Sequence, residues 1–567
     1  MEMRTPWFRF CLSLCITLLL VSESTSSEIS NTDHSLEKFI QAVLASKRLP
    51  IIQHTNFDNE YELLQQLYPP NNADLLWLEQ GKPTTSALAI LNELSNASNY
   101  GLHSSDYDGE KLNALLPALE ETSVIQPEQK QAQFDIALST AALRFIQHLH
   151  YGRIDPKQAA FNLPADRGDT LNLTRRLRQL SKSGEVATDL QQLEPQFSHY
   201  QLLKSALHRY QRLAQDPTLT QLPALPSRAI KLDDTYDGAV ALRRLLIAEE
   251  DLPLDTPVVN TSKIIDATLI NGLKNYQTRH GLTADGVLGQ HTFKQLTTPF
   301  SARIQQIELT LERWRWLPPP QAPMIVVNIP QFKLFAFKSN KDREENLLRM
   351  EVIVGQIYEH TKTPVFFSEM QQVVFRPYWD VPLNITKREL LPQIKRNPNY
   401  LAEHHFELVK GQSDSSPVVP ATTDNINQLA SGKIRLRQRP GEDNALGNIK
   451  FLLPNKYNVY LHSTPAQQLF NESRRAFSHG CIRISNPLAL ADYVLSTIAE
   501  PWSVEKISAA MEGAPNQRVN LDKPIPVMIV YGTVMPLESG VVQFFDDIYG
   551  HDAKLAALLQ HPLVNMH

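Results

Sequence analysis

Cysteine is almost missing from this chain: there are three in 567 residues. A disulfide framework of the kind that holds small extracellular domains together is therefore excluded. Long apolar runs are missing as well, and after residue 21 none approaches the roughly 18 residues that a membrane span needs. Neither sign of charge dominates, since 55 Lys and Arg stand against 60 Asp and Glu, for a net charge of -5. That balance leaves no electrostatic footprint for nucleic acid. No H-E-x-x-H or H-x-x-E-H pattern occurs, which removes the familiar helical zinc sites. What remains, 42% hydrophobic and 20% charged, is ordinary globular composition, and the length calls for three or four folded units.

The first residues follow an export pattern. Arg4 and Arg9 precede the apolar stretch 10–21, and the small residues Ser22, Ser24, Thr25 and Ser26 come next. That order predicts a signal peptide over 1–26, with an uncleaved membrane anchor as the alternative. Lipoprotein processing does not fit, because Cys15 follows Leu14 rather than a small residue. Cys11 and Cys15 leave with the signal, so the mature chain keeps one thiol, Cys481. A lone thiol is either buried and inert or reactive, and its neighbours decide which.

The pattern along the chain predicts a multidomain α+β protein. A helical scaffold domain is expected over 28–236; within it Leu138, Ala142, Phe145 and Leu149 recur at helical spacing and make one apolar face. His148 and His150 lie on different faces of that helix and form no metal pair. A small three-helix bundle is expected over 237–299, with Asp285-Gly286 as a positive-φ turn and Gly289 as a tight exit into the last helix. A mainly-β domain is expected over 322–500, from short apolar or alternating runs at 324–329, 333–337, 351–354, 371–375 and 457–461. It carries a helical and loop insertion at 382–445, of the kind that serves as a lid. A C-terminal extension covers 501–567.

The surviving thiol lies in Ser478-His479-Gly480-Cys481-Ile482-Arg483, with His462 and Ser463 upstream. Ser485 or Asn486 is placed to cap a helix starting at Pro487, whose N-terminus would favour thiolate at Cys481. Gly480 lets backbone N–H groups approach a substrate as an oxyanion hole requires. Both His462 and His479 are candidates for the base that takes the thiol proton, and spacing alone does not choose between them. Zinc held by His462, His479 and Cys481 is a competing reading, and a buried, inert Cys481 is another.

This signature resembles the active site of the L,D-transpeptidases, the YkuD catalytic domain. Residues 281–289 resemble a peptidoglycan-binding three-helix module. Asn99-Tyr100-Gly101-Leu102, Gly152-Arg153-Ile154-Asp155-Pro156, Glu312-Arg313-Trp314-Arg315-Trp316 and Pro377-Tyr378-Trp379-Asp380-Val381-Pro382 extend the resemblance to the large YcbB-type branch. The resemblance implies that His462 activates Cys481, that Ser463 or a nearby carbonyl orients the ring, and that His479 and Gly480 shape the oxyanion hole. It also implies that Arg483 and Ser478 hold the loop or the substrate, with no metal and no cofactor.

The implied reaction is transfer of a stem tetrapeptide through a thioester, giving 3→3 cross-links in a periplasmic wall. An L,D-carboxypeptidase or an enzyme joining protein to wall would use the same thiol, and a non-catalytic wall-binding scaffold is the alternative outside enzymes. Implied partners are stem peptides, glycan strands and other wall-synthesis enzymes; carbapenems are implied inhibitors. Trp314, Trp316 and Trp379 are expected to pack rather than stack on sugars. His280 and His291 are expected to have a surface or capping role, His404 and His405 to face solvent on the insertion, and 546–552 to be a structural, capped turn.

Overall fold

A computed structural model describes residues 35–72, 74–120, 126–163, 170–319, 321–339 and 342–560. The expected signal peptide lies outside the described residues. Among them no helix is long and apolar enough to cross a membrane.

The chain forms two compact units. The first takes the chain up to Arg153 and then Asp169–Gln196. It is built on α1 (Pro127–Tyr151), which starts with Pro at its first position and ends at Gly152, φ +84°. Leu138, Ala142, Phe145 and Leu149 are all fully buried, as their spacing predicts, against helices such as Thr85–Ser95 and Leu173–Leu180. Asp135, also on α1, accepts hydrogen bonds from the Tyr68 hydroxyl (2.5 Å) and the Trp77 amide (2.8 Å). Burial nevertheless lifts its carboxyl to about 6. His148 meets the Tyr107 hydroxyl at 2.9 Å and His150 the Leu193 carbonyl at 2.8 Å, so both are structural.

The second unit, Ile154–Gly168 with Phe197–Pro562, shifts two expected boundaries. The first unit ends at Gln196, where the helical scaffold is expected to continue to 236. The helix α2 (Ser198–Leu213) belongs to the second unit, where Leu203, Leu207 and Tyr210 share a core with the three-helix bundle. That bundle is α3 (Ala239–Ala248), α4 (Ala267–Arg279) and α5 (Gln290–Leu296). The following helix α6 (Phe300–Arg315) adds Ile307 and Leu311 to the same core. Gly286 takes φ +74° as the turn requires. Gly289 is extended with open space around its Cβ position, so no tight exit depends on it.

The mainly-β region is a nine-stranded sheet. Its strands are β1 (Met324–Asn328), β2 (Lys333–Phe337), β3 (Leu348–Gly355), β4 (Phe366–Phe375), β9 (Ile449–Leu452), β10 (Leu461–His462), β11 (Ala476–Ser478), β12 (Ile482–Ile484) and β13 (Gln517–Val530). Four further strands, β5 to β8, lie in the insertion. The order is β11-β3-β12-β10-β9-β4-β13-β1-β2, and β2 also pairs with β3, closing the sheet on itself. Closure leaves β11, which pairs with β3 alone, as the strand outside the ring. The boundary expected at 500 is corrected by β13, which pairs with both β4 and β1 and so sits inside the sheet. Residues beyond it also join the unit: the hairpin β14 (Val534–Pro536) with β15 (Val542–Phe544) packs into the bundle core.

The insertion is more than helix and loop. Helical turns run through Leu383–Ile385, Thr386–Leu390 and Leu391–Arg396, where helix is expected. They are joined by a four-stranded sheet in the order β5 (Trp379–Asp380), β8 (Arg435–Gln438), β6 (Phe406–Val409), β7 (Val418–Val419). Its own core holds Val381, Ile385, Leu391, Leu408, Leu429 and Leu436.

After β12, α7 (Pro487–Leu495) lays Leu490, Ala491, Val494 and Leu495 on the main core. The Asn486 side chain caps it, accepting from the Ala489 amide at 3.1 Å. Replacing Asn486 by Ala is expected to lower stability by about 1 kcal/mol, read as a lower urea midpoint with an unchanged slope.

The remaining expectations about side chains are met in this unit, except at His280. Trp314 and Trp316 are buried against Phe197 and Phe161. His280 is buried between the Tyr276 and Phe544 rings rather than at the surface, while His291, His404 and His405 are exposed. Asp547 accepts from the amides of His551 and Asp552 at 2.8 and 2.9 Å, so 546–552 is a capped turn.

Candidate active site

Three neighbouring strands bring the chemistry together. β10 runs parallel to β12, with Leu461 opposite Ile482 and His462 opposite Arg483. On its other side β10 is antiparallel to β9, with Lys450 opposite His462. Leu461 and Ile482 are fully buried in the main core. Alternation along a strand then puts Tyr460, His462, Lys450, Arg483 and Cys481 on the opposite face. Lys450, His462 and Arg483 form one row across three strands. Tyr460 and Cys481 stand in the next row, a diagonal step from His462 and within the reach of long side chains.

The imidazole is fixed by its own neighbour. His462 is 4% exposed, and its Nδ1–H donates to the Ser463 carbonyl at 2.5 Å. That bond places a proton on Nδ1, and the Leu446 carbonyl also bonds the ring. Ser463 therefore orients the ring through its carbonyl oxygen. Burial, with the positive charges of Arg483 and Lys450, pushes the His462 ring down to about 3. The Cys481 thiol donates to the Asn458 carbonyl at 3.7 Å. Burial pushes the thiol up, against the hydrogen bond from the Tyr460 hydroxyl and the charges of Lys450 and Arg483. The resting pair is thus a neutral thiol and a neutral imidazole. The expected helix-dipole effect on the sulfur does not operate, because β12 separates Cys481 from α7 and the dipole field fades within one turn.

The turn that carries Cys481 is tied from inside and from behind. The Ser478 hydroxyl donates to the Cys481 carbonyl at 2.5 Å and accepts the Gly480 amide at 3.1 Å. Gly480 has φ +114°, which favours glycine. Its carbonyl accepts from the Thr363 hydroxyl at 2.9 Å, and that hydroxyl accepts from the Gly355 amide at 2.8 Å. The Tyr549 hydroxyl donates to the Gly355 carbonyl at 2.6 Å and accepts the Thr363 amide at 3.2 Å. His479 turns elsewhere: its Nε2 lies 2.8 Å from Glu389 of the insertion. Among the described residues no cluster of three or more His, Cys, Asp or Glu is placed to hold a metal.

Residues 322–520 match the family model of the L,D-transpeptidase catalytic domain, and residues 62–207 match that of a scaffold domain. This chain carries an L,D-transpeptidase catalytic domain. A protein of Haemophilus influenzae named "Putative L,D-transpeptidase" is 32% identical over 251 residues, 44% of this chain. The match spans about half (49%) of that relative's length.

Several residues that surround Cys481 and His462 escaped sequence reasoning. Lys450 and Tyr460 had a signal available, as polar positions alternating with the buried residues of β9 and β10. Trp379, expected only to pack, also hydrogen-bonds the Tyr460 hydroxyl. Thr363 and Tyr549 had none, since nothing local links residues well over fifty positions from Cys481.

The depressed basicity of His462 has a thermodynamic consequence. A ring that binds its proton at about 3 when folded and near 6.5 when unfolded stabilises the fold fully above pH 6.5. That contribution is lost as pH falls toward 3, by about 1.4 kcal/mol per pH unit. Relative to His462→Gln, the wild-type protein is expected to lose about 2 kcal/mol between pH 6.5 and 5, measured by urea unfolding of both proteins at each pH.

Proposed function

We propose that this chain is an exported, periplasmic peptidoglycan L,D-transpeptidase that forms 3→3 cross-links through a Cys481 thioester. The observation that carries the reading is the shared face of β9, β10 and β12: a thiol, a neutral imidazole a diagonal step away, and a tyrosine hydroxyl on the sulfur. Nε2 of His462 takes the thiol proton as Cys481 attacks the carbonyl of the third residue of a stem tetrapeptide. The carbon–nitrogen bond to the terminal D-Ala breaks, and the departing amine takes that proton from the imidazolium. The side-chain amine of a second stem then attacks the thioester, transfers a proton to His462 and releases the thiol. With the Gly480 amide engaged by Ser478, the His479 and Cys481 amides carry the oxyanion in this mechanism. The insertion, held near the turn by Glu389 on His479, acts as a lid that keeps water from the thioester. The three-helix bundle is the wall-binding module, and glycan strands and other wall enzymes are its partners.

Incubation with a purified disaccharide tetrapeptide, followed by mass spectrometry, tests this. Dimers linked between third residues are expected, with one D-Ala released per link. Tripeptide monomers alone mean a carboxypeptidase, and no turnover by folded protein means a non-catalytic scaffold. Either result overturns the proposal.

A further inference from the structure

Lys450 is a half-buried ammonium without a counter-ion. Among the described residues it makes no hydrogen bond or ion pair, and its one contact of note is cationic, 3.9 Å from the centre of the Tyr460 ring. Two carboxylates lie near enough to act on it, those of Asp380 and Asp414. Both are already taken. Asp380 is paired with Arg435, and Asp414 with Arg518 and, at 2.9 Å, the Asn516 amide group. Burial without a partner holds Lys450 below the usual ammonium range, the behaviour of a cation waiting for an anion.

Arg483 repeats the pattern on the far side of His462. It makes no ion pair among the described residues, and its Nε is buried with no hydrogen-bond partner. The two cations occupy the ends of the row Lys450–His462–Arg483, two strand spacings or roughly 10 Å apart at the backbone. Both act on the Cys481 sulfur. Two unpaired cations flanking a nucleophile cost stability in the free protein, because each buried charge lacks its compensation. A ligand that supplies the missing charge recovers that cost on binding.

We infer that Lys450 and Arg483 form an anion subsite for the free C-terminal carboxylate of the donor peptide, next to the bond that Cys481 breaks. The inference rests on the transpeptidase reading, in which the residue that leaves carries such a carboxylate three covalent bonds from the reacting carbonyl carbon. The subsite makes the enzyme exact about chain ends: a stem with a free terminus is a donor, and one that continues or is amidated is not.

The test compares two donors, a tetrapeptide with a free terminal carboxylate and the same peptide as its carboxamide. For the wild-type enzyme kcat/KM is expected to favour the carboxylate by roughly 100-fold, the scale of losing charge-assisted hydrogen bonds. Lys450→Met and Arg483→Met are each expected to shrink that ratio at least tenfold, mainly through KM, while Lys450→Arg keeps most of it. A ratio that stays at the wild-type value in both Met variants overturns the inference, as does a wild-type enzyme that uses the two donors equally. If wild-type protein turns over neither donor, the transpeptidase reading itself has failed.

Discussion

Replacing Cys481 by alanine is expected to reduce turnover of a tetrapeptide donor by at least about 10,000-fold, because the sulfur that forms the acyl bond is gone. The same variant separates chemistry from binding. A carbapenem is expected to acylate the wild-type protein one-to-one; the lactam ring opens without losing an atom, so the intact mass rises by the mass of the drug. The alanine protein is expected to show no such increase while still binding the donor. Since the resting thiol is neutral and burial pushes it up, simple alkylation by iodoacetamide is expected to be slow at pH 7 and to rise with pH. Acylation by a carbapenem, with His462 taking the proton in the transition state, is expected to hold its rate down to pH 5, where the ring is still unprotonated. An acylation rate that falls tenfold per unit from pH 7 to 5 would show that a pre-formed thiolate is required and that His462 is not the base.

The second large effect is structural and lies behind the nucleophile. A Cβ built on Gly355 meets the Thr361 carbonyl oxygen at 1.9 Å and the Thr363 amide nitrogen at 2.7 Å. Both are backbone atoms, so no side chain can rotate away. Gly355→Ala is expected to cost about 3 kcal/mol or more and to push apart the bonds that join Gly355, Thr363, Tyr549 and Gly480. Because the Gly480 carbonyl hangs on the Thr363 hydroxyl, the turn carrying Cys481 loses its support. Thermal unfolding and carbapenem acylation are expected to worsen together. Gly441→Ala is the matched control, since nothing lies within 4 Å of its Cβ position and its stability should change by less than about 0.5 kcal/mol. Equal stability of the two variants would mean that the 355–363 loop yields at little cost.

Much of the fold was legible where periodicity is local. The buried stripe of α1, the three helices of the bundle and the runs that became β1, β2, β3 and β4 follow from alternation or helical spacing, which burial of one face enforces; of the run expected at 457–461 only Leu461 is in a strand. The boundaries were not legible. Helix α2 reads as one more scaffold helix because its pattern names a buried face but not the partner that covers it. β13 lies beyond the expected end of the catalytic domain because pairing with β4 and β1 is non-local. The insertion's sheet was missed because β5 and β7 have only two residues each, too few to show a period.

The amino-acid sequence by itself determined the candidate thiol, the two histidines and the turn residues around them, since they are written in residue types within a span of some twenty positions. Only the tertiary structure decided between the histidines' surroundings. It set His462 in a row between Lys450 and Arg483, turned His479 to Glu389, and left the thiol protonated at rest. The reason is physical: burial, strand register and the neutralisation of Asp380 and Asp414 by their own arginines depend on residues far apart in the chain, and no local pattern encodes which charge remains without a partner.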